Sequence, residues 1–247
     1  MRKIGFTIAE SLITLAIIGI VATLILPVFT SKYRKQVYSA SLSSAVSNFD
    51  NAMSLLMTNE CVDSLLNTKA WNSIYSDGEY SLDATSDAVK IKAFMSEISK
   101  TLPINGYTTD TAYYKTLAAP TSSITVSFGA PVRFKAKSGV EYMIYIVDVK
   151  KSNEKSESDI VAQGGNYTNQ AAEVYIDING EASPNVIGRD YFRFELGTDG
   201  HLYPYGGLDW YVYNNKTYES PKTKCVNDKN GYYCAAYLAE DGYKMDY

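Results

Sequence analysis

Histidine occurs once in this chain, as His201, and cysteine three times, as Cys61, Cys225 and Cys234. No Cys-x-x-Cys, His-Glu-x-x-His, Gly-x-Ser-x-Gly or Gly-rich phosphate loop occurs, so the usual zinc, serine-nucleophile and nucleotide chemistries lack their residues. The Asp and Glu pairs lie in polar stretches with no sequence sign of burial. The chain therefore reads as a non-enzyme. Against 27 Asp and Glu stand 23 Lys and Arg, a net charge of −4. No basic stripe runs through the soluble part, so the electrostatic footprint of a nucleic-acid binder is missing.

Charge is scarcest near the N-terminus. After Met1-Arg2-Lys3-Ile4-Gly5, the 24 residues from Phe6 to Phe29 carry one ionisable side chain, Glu10. As helix this run is about 36 Å long at ~1.5 Å per residue, enough for a bilayer core of roughly 30 Å. A carboxylate inside it costs about 2.5–3.5 kcal/mol on insertion scales and needs a partner, and the chain offers none nearby. A secretory signal has a shorter apolar core and a small-residue cleavage site after it. A plain signal anchor explains the length but gives no reason to keep Glu10.

The segment resembles the N-terminus of type IV prepilins and of type II secretion pseudopilins. In that family a short basic leader ends in Gly, a membrane peptidase cuts after it, and the new N-terminal residue, usually Phe, is N-methylated. A Glu stands fifth in the mature chain, and a helix-bending Pro is common at the twenty-second position. Here the cut falls between Gly5 and Phe6, Phe6 takes the methyl group, Glu10 is the fifth mature residue and Pro27 the twenty-second. The resemblance covers roughly the first 55 residues. It implies a structural subunit held in the bacterial inner membrane by a single span, with its C-terminal domain outside. Its partners would be the prepilin peptidase and other pilin or pseudopilin subunits, with which it polymerises into a pilus or pseudopilus. In the fibre, Glu10 of one subunit would face the Phe6 amine of its neighbour. The basic residues flanking the span, Arg2 and Lys3 before and Lys32, Arg34 and Lys35 after, nearly balance, so orientation rests on the resemblance. A rival reading is a membrane-tethered extracellular domain, tip pilin or adhesin-like, that binds a ligand.

The implied architecture is α+β and lollipop-shaped: a long N-terminal helix whose outer half packs on an antiparallel sheet within a C-terminal globular domain. Its segments are a leader at 1–5, a membrane and assembly helix at 6–29, an amphipathic stem at 30–58 and an extracytoplasmic domain at 59–247. The residues agree with that order. Leu42, Ala45, Val46, Phe49, Met53 and Leu56 form one helical stripe. Asn59 to Ser81 reads as loop with a short helix. Thr85-Ser86-Asp87 caps a second helix through Ile91, Phe94, Met95, Ile98 and Leu102, ending at Pro103. Strands are expected at Ile124–Phe128, Val140–Val149, Ala172–Asp177 and Tyr191–Leu196, the last leading through an Asp199-Gly200 two-residue turn into His201–Tyr203. Lys150–Asn169 reads as a polar loop. Helix first and strands later is the α+β order.

Tyrosine is abundant, 22 residues, ten of them from Tyr203 onward, as expected of β-structure whose rings pack while the hydroxyls stay wet. Cys225 and Cys234 enclose eight residues containing Asn230-Gly231, and a disulfide closing this hairpin-like loop is expected in an oxidising compartment. Cys61 would then be left over, though a Cys61 link to either partner is the alternative. A calcium loop is a further candidate. Asp177, Asn179 and Glu181 recur at alternate positions around Gly180, with Asp190 beyond, and some major pseudopilins bind calcium in a C-terminal loop. The bidentate Glu of an EF-hand is absent, Gly188 standing in its place, and Asp, Asn and Gly are also ordinary turn residues.

Overall fold

A computed structural model describes residues 7–76, 79–80, 82, 87–110, 113–117, 119–125, 131–146, 170–180, 182–205, 220–227 and 230–247. One helix, α1 (Ile8–Glu60), runs unbroken for 53 residues and so joins the expected membrane segment to the expected stem. Two thin connections follow. A 3-10 turn (Leu65–Asn67) leads into α2 (Lys69–Asn72), and β1 (Tyr75–Ser76) pairs with β2 (Glu79–Tyr80). The second helix, α3 (Ala88–Ile98), buries the expected Ile91, Phe94, Met95 and Ile98 but stops at Ile98, with the chain turning before Pro103. Thr85 and Ser86 of its expected cap lie outside the described residues, and the Asp87 side chain makes no capping bond.

Eight strands come next: β3 (Ile104–Thr108), β4 (Tyr113–Thr116), β5 (Ala119–Thr125), β6 (Val132–Ala136), β7 (Glu141–Ile146), β8 (Gln170–Asp177), β9 (Tyr191–Gly197) and β10 (Leu202–Pro204). Six form one antiparallel sheet in the order β10-β9-β8-β7-β6-β3, and β4 pairs with β5 apart from it. The chain closes with two short helices, α4 (Pro221–Asn227) and α5 (Cys234–Glu240). Of the expected strands, β7 and β9 lie where their alternation placed them, and β8 begins two residues earlier. The first overlaps β5 at Ile124 and Thr125; residues 126–128, 147–149 and the 150–169 loop lie outside the described residues. The β9–β10 connection is not the expected two-residue turn. Four residues, Thr198–His201, separate the strands, closed by bonds from Gly197 N–H to His201 O and from Gly200 N–H to Gly197 O.

Alternation decides which side chains meet the stem. Tyr142 and Ile144 of β7, Val174 and Ile176 of β8, and Phe192, Phe194 and Leu196 of β9 are buried with Leu42, Phe49, Met53 and Leu56 of α1 in one core. The side chains that one face of a sheet turns to a helix recur with a period of two, and a helix lying on it needs a stripe of period 3.6. The Phe49 ring centroid lies 5.3 Å from that of Tyr142, and the Tyr142 hydroxyl donates to the Ala45 carbonyl of α1 at 3.0 Å. At the other side of the stem, the Asp50 carboxylate accepts the Leu202 N–H of β10 at 2.8 Å. The stem is thus bonded to two strands as well as packed on them. On the opposite face, Tyr114 of β4 stacks on Tyr191 of β9 at 3.5 Å, and Tyr191 stacks on Tyr175 of β8 at 5.3 Å. Lys115 of β4 bridges the backbone of Val186, so this face is roofed too, which explains why much of the tyrosine is interior.

Candidate assembly and processing site

The first 22 residues of α1, Ile8–Phe29, are not buried by any other element among the described residues. Leu24 is 70% exposed and Phe29 71%, whereas Leu42 and Phe49 of the same helix are fully buried. This is one helix long and apolar enough to cross a membrane. Pro27 lies inside it without ending the helix. Its ring removes the N–H that would have bonded the Thr23 carbonyl, and hydroxyls crowd the same stretch: Thr23 donates to Ile20 O at 2.8 Å and Thr30 to Pro27 O at 3.0 Å.

Gly5 and Phe6, the expected junction, lie outside the described residues, and Thr7 is the first described residue. Thr7 is the N-cap of α1. Its hydroxyl accepts the Glu10 N–H at 3.3 Å and donates to Glu10 Oε2 at 2.7 Å, while the Thr7 N–H donates to the same Oε2 at 2.9 Å. This is a capping box, in which two orphan helix-terminal donors are satisfied reciprocally. It corrects the expectation that Glu10 has no partner in its own chain. No cation is needed within the chain, because a hydroxyl and an amide hold the carboxylate at the positive end of the helix dipole. The signal was present in the sequence as Thr7-x-x-Glu10 preceding an apolar run.

Cys225 and Cys234 are joined, with Cα atoms 4.6 Å apart, and Cys61 is free and exposed. The expected pairing holds, but the expected hairpin does not. The bridge ties α4 to α5, and Gly231 between them presses against Ile187. A Cβ on Gly231 would lie 2.4 Å from the Ile187 carbonyl oxygen, and Gly231 has φ +83°. The disulfide therefore fastens the C-terminal helices beside the 182–190 loop. Cys61 is itself the C-cap of α1, in the left-handed conformation.

That loop is where calcium was expected. Asp190 is fully buried and spends both oxygens on backbone amides, Asn185 N–H at 2.8 Å and Val186 N–H at 2.6 Å. Asp177 accepts the Asn179 N–H at 3.2 Å, and the Asn179 amide donates to Ala182 O at 2.7 Å. The Asn179 side-chain Oδ1 is buried with no donor among the described residues, and Glu181 lies outside them. Burial, with the Asp190 charge next, pushes the Asp177 carboxyl up to about 8. Burial also raises Asp190, against the pull of its two amide bonds. Among the described residues no group of three or more His, Cys, Asp and Glu side chains is placed to hold a metal ion. The described carboxylates, Asp177 and Asp190, bond backbone amides that close the turn.

Compared with protein-family models, curated proteins and solved structures, the chain finds no match. The likeness that remains is one of shape: a long apolar N-terminal helix followed by a C-terminal antiparallel sheet is a pilin-like arrangement.

Proposed function

We propose that this chain is a structural subunit of the pilin or pseudopilin kind. A membrane peptidase cuts it after Gly5, Phe6 is N-methylated, and the subunit waits in the inner membrane with its head outside before polymerising through α1. The observation that carries this reading is Glu10. It stands fifth after the Gly5-Phe6 junction on a helix whose apolar half is bare in the subunit and whose other half is fixed under a sheet. A helix exposed over 22 residues needs lipid or other helices around it. The Cys225–Cys234 bridge supports a head on the oxidising side.

Thr7 gives the assembly step a physical form. Once Phe6 is the first residue, Thr7 is the second, and the subunit holds Glu10 on its own N-cap. On joining the fibre, Glu10 exchanges those bonds for a neighbour's Phe6 amine. A desolvated pair of this kind punishes a missing partner by about 3–5 kcal/mol and so selects register more than it adds stability. The test is mass spectrometry of the chain expressed with a prepilin peptidase. The mature protein should begin at methylated Phe6, and Gly5→Leu should leave the precursor uncut. Wild-type protein that keeps residues 1–5 beside an active peptidase overturns the reading.

A further inference from the structure

Three cations follow the apolar run within six residues of Phe29: Lys32, Arg34 and Lys35. At ~1.5 Å per residue, Lys35 lies about 9 Å beyond Phe29 along α1. The headgroup layer flanking a ~30 Å hydrocarbon core is roughly 5–8 Å deep on each side, so these side chains reach it easily. The head comes down to the same level. Lys35 Nζ donates to the Tyr247 backbone oxygen at 2.5 Å. The Tyr247 ring packs 5.6 Å from Tyr237, whose hydroxyl bonds Asp246. Lys222, in the first turn of α4, stands with its ammonium 5.1 Å from the Tyr237 ring centroid and 3.8 Å from Asp246.

Two distant stretches of chain thus build one underside around the stem. Lys32, Arg34 and Lys222 are exposed on it, and Asp246 and Asp241 are the carboxylates whose charge reaches Lys222. Tyr33, 64% exposed, adds an aromatic ring where the span meets the head, the position at which membrane proteins concentrate tyrosine. We infer that this underside rests on anionic phospholipid, with Lys32, Arg34 and Lys222 meeting headgroup phosphates and Tyr33 lying in the interface. The inference depends on the proposal that α1 crosses the bilayer. Continuity singles out the occupant, because the helix that carries the ring is the helix that enters the membrane. Long Lys and Arg stems suit this task, since they lay methylenes on apolar surface and keep the charge in the headgroup layer. The contacts hold the head at the leaflet, and a subunit leaving for a fibre must break them.

Full-length protein in phosphatidylcholine nanodiscs, with and without phosphatidylglycerol, tests this by lysine acylation read by mass spectrometry. Phosphatidylglycerol should slow labelling of Lys32 and Lys222 by about five-fold each, the factor expected of a lysine near an anionic surface. Salt at about 1 M, where screening acts within about 3 Å, should abolish the difference. Lys137 lines a pocket with Asn51, high on the stem, and should label equally in both discs. Equal labelling of Lys222 with and without phosphatidylglycerol overturns the inference. So does protection that follows protein concentration instead of lipid charge, which marks the acidic face of a second subunit. Carbonate extraction from vesicles reports insertion separately. Extracted protein overturns the membrane reading and this inference together, whereas retained protein with an unprotected Lys222 overturns the inference alone.

Discussion

Glu10 and Thr7 exchange three hydrogen bonds within one helical turn, and that arrangement separates two consequences of mutation. Glu10→Ala should still insert, because alanine removes a cost of about 2.5–3.5 kcal/mol, and should still be cut after Gly5. It should fail to enter sheared fibres, and Glu10→Gln should be nearly as poor, since an amide keeps the shape without the charge. Thr7→Ala should be milder. It loses a cap contribution of about 1 kcal/mol but keeps the carboxylate and the amide that holds it. Comparison of sheared and membrane fractions checks the ranking, and normal assembly of both Glu10 variants would remove the carboxylate from the mechanism. A second residue makes a prediction about pH. Asp177, raised to about 8 in the folded head, titrates near 3.9 when unfolded. Its contribution to stability is complete below pH ~4 and is lost as pH rises through about 8, because the unfolded chain releases the proton first. Asp177→Asn keeps the oxygen that accepts the Asn179 N–H but not the charge. Thermal unfolding in detergent should therefore show the variant more stable than wild type at pH ~8.5, with a flatter fall between pH ~5 and ~8.5.

The joined helices α4 and α5 behave as one element because of Cys225–Cys234. Peptide mapping without reductant should recover these two linked and Cys61 alkylated, and a Cys61 cross-link would overturn the pairing. Closing so short a loop is worth about 2–3 kcal/mol, so Cys225→Ser with Cys234→Ser should lower the unfolding temperature without disturbing insertion. These helices were illegible where they lie. Asn230-Gly231 signals a turn, and it does supply one, but its flanks are helical; Pro221 at the start of α4 was the available cue. The stem was legible because Leu42 to Met53 to Leu56 keep one period, and β7, β8 and β9 because they are apolar runs of six to eight residues rich in β-branched and aromatic side chains, buried on both faces. β6 alternates, with Val132, Phe134 and Ala136 inward, but five residues beside a proline make a weak pattern. β3 carries Asn105-Gly106, which reads as a turn, and its pairing with β6 does shift register there. At the site, Glu10 stood out by its charge, whereas Thr7 is an ordinary residue until the helix start is fixed.

On the scale of the whole molecule, α1 has an exposed apolar half and a half buried in the head, and the core of the head is built on the second. Phe49→Ala removes a fully buried ring from the junction of stem and sheet and should cost about 3–5 kcal/mol. Protease resistance of the head should fall, while cleavage after Gly5 proceeds normally. A variant whose processing failed along with its head would show that the two halves of α1 are not independent. The stem also imposes an order of events during synthesis. It leaves the ribosome before every strand that covers it: Tyr142, which bonds Ala45, lies 97 residues later, and Leu202, which bonds Asp50, lies 152 residues later. At roughly 5–20 residues per second the second interval lasts about 8–30 s. For that time the face of the stripe from Leu42 to Leu56 that these strands cover has no sheet to lie on, so the nascent chain is exposed to premature association through it until the last strand arrives.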